Sequence, residues 1–156
     1  MSIFQFLSKN NNKIKKIGFE DILHSISLNY SEDYLLINTL LPSEQDILIP
    51  NTISYNAEED IVNNLIKEGS LYKYNIIVYG KNCCDETVEK KCQQLIKLGF
   101  PNVFFYPGGM FEWCLLQDAY SFKNFPTTKP VKDILYFRSS QIIKHKINNS
   151  LLTWKL

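Results

Sequence analysis

Between Asn75 and Trp113 the sequence NIIVYGKNCCDETVEKKCQQLIKLGFPNVFFYPGGMFEW changes its apolar period twice, and this limits the fold more than any other feature. Residues 76–79 form an unbroken apolar run of the kind found in a strand covered on both faces. Val88, Cys92, Leu95 and Ile96 then recur at helical spacing, which predicts a helix over 86–98. Gly99 stops it, residues 103–106 read as a second buried strand, and Pro107-Gly108-Gly109 breaks the chain before MFEWCLLQDAY. Strands separated by a helix need a crossover rather than a hairpin, so they run parallel with helices packed on them. In such sheets sites form where the strands end, which makes the loop 80–85 the first place to look for chemistry.

The preceding residues follow the same plan. After a polar, Asn-rich lead over 1–16, GFEDILHSI places Phe19, Ile22, Leu23 and Ile26 on one helical face. Asp21 in its first turn suits the positive end of the helix, and His24 reads as a surface or cap residue. DYLLINTL is a short buried strand, and DILIPNTISYN holds a Pro-Asn turn followed by a short strand over 53–55. AEEDIVNNLIKEG sets Ile61, Val62, Leu65 and Ile66 on one face and stops at Gly69. Alternating strands and helices define an α/β domain.

At 156 residues the chain has room for one domain with a substantial core. The net charge of +1 supplies no global attraction to nucleic acid or anionic lipid. That charge is unevenly placed, with six Lys/Arg against one acid from Lys129 onward. No run of about 18 apolar residues is present, so no membrane-spanning helix is expected. Apolar residues precede charges at the N-terminus, the reverse of a secretory signal, so the expected location is a reducing, cytoplasmic one. Asn, Ile and Lys abound while Arg138 is the only arginine, a bias that fits an AT-rich genome such as that of a protist, a parasite or a large virus. For a virus, the location becomes the host cytoplasm or the virion. The four cysteines are Cys83, Cys84, Cys92 and Cys114, with no C-x-x-C pair, and His24 and His145 lie far from them. Neither a disulfide framework nor a metal site is expected, and no cofactor.

The succession of LLINTL, LIPNTISY, IIVYG and LGFPNVFFYPGGMFEW, closing in FPTT, resembles the rhodanese-like domain family over about residues 17–128. The family pattern runs LLIDVR, GHIPGAINIP, VVYC and LGFxNVxxLxGGxxxW. The resemblance implies a small five-stranded, mostly parallel sheet with helices on both faces. It also implies sulfur transfer, in which a strand-end thiolate accepts sulfane sulfur as a persulfide inside a cradle of backbone amides beside a helix N-terminus. Residues 129–156 go beyond the implied fold and are expected to dock as an extra helix.

The departures from the pattern bear on function. Gly80 stands where the family has its nucleophilic Cys, Asn38 and Leu40 replace the Asp and Arg of DVR, and Leu48 replaces the His of GHIPG. The active-loop positions are Gly80, Lys81, Asn82, Asp85 and Glu86, and the last two are helix-start acids. At ~5 Å and a dielectric near 20, a carboxylate repels another anion by roughly 3 kcal/mol. A helix N-terminus returns only about 0.3–2 kcal/mol. The phosphatase chemistry of a related branch, whose longer loop ends in Arg, is therefore not expected.

Cys83 and Cys84 are the catalytic candidates that remain, in a rearranged loop, while Cys92, Cys114 and Trp113 read as core. The leading reading is a domain that lacks the usual nucleophile and binds or scaffolds a protein partner. The first alternative is a sulfurtransferase carrying persulfide on Cys83 or Cys84. The second is an RNA- or protein-tethering domain that uses Lys129, Lys132, Arg138, Lys144 and Lys146.

Overall fold

The computed structural model describes residues 14–27, 31–140 and 142. Four strands make one parallel sheet in the order β1-β4-β3-β2, with β1 Lys15–Lys16, β2 Tyr34–Asn38, β3 Asn75–Tyr79 and β4 Val103–Tyr106. The helices are α1 Phe19–Ile26, α2 Tyr55–Lys67, α3 Glu86–Lys97 and α4 Gly109–Tyr120. The α/β class, the parallel sheet and the covering of both faces are as the sequence and its resemblance imply.

Period-two alternation in β3 divides the core. Ile77 and Tyr79 face α1 and α4, packing with Ile22, Met110, Trp113 and Cys114. Ile76 and Val78 face α2 and α3, packing with Val62, Leu65, Val88, Cys92 and Leu95. A strand buried on both faces needs the continuous apolar run that NIIVY provides.

The strand count differs from the five expected. The stretch read as a strand over 53–55 contributes a single parallel bridge, Thr52 to Leu36, and the Ile53 N–H donates to the Leu36 carbonyl at 2.9 Å. The chain then turns into α2, which takes up Tyr55 as its first residue. Thr52 is committed to the turn, since its hydroxyl donates to the Ile49 carbonyl and also bonds the Tyr79 hydroxyl. At the opposite border Lys15 and Lys16 pair with Phe104 and Phe105, so the sheet begins two residues before Ile17.

Beyond Thr128 the described residues contain a 3-10 turn, Ile134–Phe137. Phe137 is wholly buried in the α1/α4 side of the core. Lys144 and Lys146, with most of the expected docked segment, lie outside the described residues.

Candidate functional site

The carboxyl end of β3 runs into residues 80–85, which loop over to the N-terminus of α3. Both neighbours of this loop hold it by main-chain bonds. The Thr39 N–H donates to the Tyr79 carbonyl at 3.0 Å. From the other side the Met110 and Phe111 N–H groups donate to the carbonyls of Gly80 and Lys81 at 2.9 and 3.0 Å. The approach is possible because residue 109 is Gly. A Cβ there would lie 2.6 Å from the Gly80 carbonyl oxygen, and its φ of 58° is in the left-handed region.

Gly80 has no room for a side chain either, for a different reason. A Cβ built on it would meet Val88 Cγ2 at 2.5 Å, Thr39 Oγ1 at 2.9 Å, and the carboxylate of Asp85 closer still. Asp85 is the N-cap of α3, as expected, with Oδ1 accepting from the Thr87 N–H at 3.0 Å. Its other oxygen turns back into the loop and accepts from the Lys81 N–H at 2.9 Å. Thr87 and Thr39 join hydroxyls at 2.8 Å beside it. The hollow at the strand end thus holds the protein's own carboxylate, and a loop amide that could face an anion already has a partner. This second bond of Asp85 is what sequence reasoning missed, since capping residues are visible in a sequence and backward turns of their side chains are not.

Asn82 is buried and satisfies two separate groups. Its Oδ1 accepts from the Cys84 N–H at 3.0 Å, and its Nδ2 donates to the Phe137 carbonyl at 2.9 Å, tying the loop to the C-terminal turn. Lys81 pairs with Glu44 and lies 5.8 Å from the Tyr136 ring centroid. Glu86 is exposed in the first turn of α3.

The two candidate nucleophiles lie at the surface of the same loop. Cys83 and Cys84 are both exposed, with Sγ atoms 4.0 Å apart. The hydrogen bond with Cys84, followed by its charge, raises the Cys83 thiol above its ordinary range, the opposite of nucleophile activation. Cys92 and Cys114 are buried, and burial pushes each thiol up to about 12. Trp113 is an anchor, fully buried, with Nε1 donating to the Pro126 carbonyl at 2.9 Å.

The other positions that depart from the resemblance have structural duties. Asn38 Oδ1 accepts from the Leu40 N–H at 3.1 Å, and Leu40 is buried. The Leu48 N–H donates to Thr128 Oγ1, while the Thr128 N–H donates back to the Leu48 carbonyl. Near these strand ends an open cleft of about 310 Å³ is lined by Thr39, Tyr55, Glu58, Thr87, Lys90 and Lys91, among others. Within it Lys91 and Glu58 pair at 2.7 Å. Of the basic residues assigned to tethering, Lys129 faces Asp46 at 3.3 Å and Arg138 turns back to the Leu135 carbonyl. Lys132 lines a groove with Tyr136.

Among the described residues no group of three or more Cys, His, Asp or Glu could hold a metal ion, and no helix is long and apolar enough to cross a membrane. The chain matches no protein-family model and no curated protein. Among solved structures it is similar to a single-domain sulfurtransferase of Saccharomyces cerevisiae, with 21% identity over 69% of this chain and 94% of that one, at a TM-score of 0.48. It is also similar to an uncharacterized protein of the same yeast, with 22% identity over 65% of this chain and 91% of that one, at a TM-score of 0.48.

Proposed function

We propose that this chain is a rhodanese-like domain that does not transfer sulfur and instead serves as a binding or scaffolding module. The observation that carries this reading is the filled hollow at Gly80. Sulfur transfer needs a thiolate at that strand end and free amides around the sulfur it accepts. Here the position has no side chain, and Thr39, Val88 and Asp85 take up the space one would need. Asp85 also places negative charge where the sulfur donor, itself an anion, would have to bind.

The binding half of the reading is supported by what surrounds the hollow. Leu41, Tyr55 and Tyr136 stand exposed around the carboxyl end of the sheet, at 63%, 60% and 47% of their full areas. Large apolar side chains left in water beside an open cleft are the kind of surface that a protein partner covers.

The test is incubation with thiosulfate and cyanide, following thiocyanate release and the intact mass of the protein. We expect no thiocyanate above the uncatalysed rate and no gain of about 32 Da, one sulfur atom as a persulfide would carry. The reading fails if thiocyanate forms and is abolished by Cys83→Ser or Cys84→Ser. Gly80→Cys alone is expected to stay inactive, because it restores a sulfur without removing Asp85 from the hollow.

A further inference from the structure

Cys83 and Cys84 have no part in the binding function proposed above, yet they are the two exposed thiols of the described chain. Two sulfurs alone would leave a zinc ion half-coordinated, and no third or fourth ligand is in place among the described residues. What two adjacent thiols can do unaided is give up two electrons and join. Their sulfurs, now 4.0 Å apart, would close to about 2.05 Å. Neighbouring Cα atoms are ~3.8 Å apart, below the usual ~4.4–6.8 Å of a disulfide, so the small ring is strained and readily reduced. Labile bridges of that sort are regulatory rather than structural.

The strain falls on one peptide group. Closing the ring must rotate the amide between Cys83 and Cys84, and its N–H is the one donated to Asn82 Oδ1 at 3.0 Å. The same Asn82 side chain, 7% exposed, holds the Phe137 carbonyl through Nδ2 at 2.9 Å. A change in the state of the two sulfurs is therefore two hydrogen bonds away from the turn Ile134–Phe137, from which the basic C-terminal residues depart.

We infer that Cys83 and Cys84 form a reversible thiol–disulfide switch whose oxidised form takes the Cys84 N–H away from Asn82 and loosens the loop's hold on Ile134–Phe137. The oxidant is a low-molecular-weight disulfide. One cysteine thiolate attacks it, forms a mixed disulfide and expels the first small thiolate. The second cysteine thiolate attacks the protein sulfur of that mixed disulfide and expels the other. The protein loses two electrons and two protons, and the small disulfide becomes two thiols. Excess small thiol runs the same steps backwards.

The experiment equilibrates the full chain in buffers of oxidised and reduced glutathione, then traps the thiols and reads intact mass and peptide masses. Tryptic cleavage after Lys132 and Arg138 is timed on the same samples. We expect an internal Cys83–Cys84 bond in oxidising buffer, reversed by excess reduced glutathione. Cleavage should quicken by roughly fivefold with oxidation, as for the loss of about one hydrogen bond. Cys83→Ser should remove both the bond and the redox dependence, and Asn82→Ala should give fast cleavage in either buffer. Formation of glutathione adducts or linked dimers alone would overturn the inference, as would an internal bond that leaves cleavage unchanged. A sulfane adduct on either cysteine is a gain of mass, so failure of the non-catalytic reading is told apart from failure of the switch.

Discussion

Two strand-to-helix junctions lie side by side in this sheet, β3 into α3 at Gly80 and β4 into α4 at Gly108-Gly109, and both need glycine for opposite reasons. At Gly109 the neighbours are main chain, the Gly80 carbonyl oxygen and the Asn82 nitrogen, and the backbone is left-handed. At Gly80 the neighbours are side chains, those of Asp85, Val88 and Thr39. The first glycine permits the fold, because backbone atoms cannot be moved aside. The second accompanies a particular filling of the strand end, and that filling could be altered by changing its side chains. The one glycine is fixed by the backbone and the other by its side-chain neighbours, so only the second can be changed together with them.

Substitutions can break this distinction. The largest loss is expected from Gly109→Ala, about 2–4 kcal/mol in urea unfolding, combining the left-handed backbone with a displaced loop. Gly80→Ala should cost less, about 1–3 kcal/mol, because the ends of side chains can shift. Asp85→Ala should cost about 1 kcal/mol through the lost cap of α3. The sharper test is the pair of double variants. Asp85→Ala should relieve Gly80→Ala, so that their combined loss falls short of the sum by at least about 0.5 kcal/mol, while its combination with Gly109→Ala adds. Equal coupling in both pairs would erase the contrast between the junctions.

The effect that is smallest near neutral pH, and grows only in alkali, concerns the thiols carried by the two helices that follow the junctions. Cys92 on α3 and Cys114 on α4 have their folded values raised from 9.0 to about 12 by burial. The unfolded chain releases these protons first, so their contribution to stability is intact below pH 9 and declines as pH climbs towards 12. Unfolding curves across that interval should show the decline, and Cys92→Ala with Cys114→Ala should flatten it. In native buffer an alkylating reagent should modify Cys83 and Cys84 quickly and the buried pair only after denaturation.

How far the sequence disclosed all this depends on the range of each interaction. The helices α1, α2 and α3 and the strands β2, β3 and β4 are written in local patterns, so their order and class were legible, as was the unusual residue at the strand end. The edge of the sheet was not. Lys15 and Lys16 carry no apolar signal, and they pair with β4 while their ammonium groups lie 5.5 and 5.6 Å from the Phe104 and Phe105 ring centroids. Thr52 makes one bridge, too little to leave a period. Asn82 was legible only as a loop residue, because its partner, the Phe137 carbonyl, is 55 residues further along the chain. Tyr106 was legible only as a core aromatic: its buried hydroxyl makes no hydrogen bond of good geometry, and burial, followed by the neighbouring Glu112 carboxylate, raises its pKa.

The meagre borders of the sheet have a bearing on recognition. One flank ends in a strand of two lysines, and the other has its outermost rung already taken by the Ile53 amide on the Leu36 carbonyl. An incoming extended peptide finds almost no vacant main-chain ladder to join, and ammonium groups stand guard at one side. Among the described residues, a partner of the proposed binding module would therefore have to grip side chains at the rim, so that selectivity would rest on shape and on a handful of aromatic and aliphatic knobs.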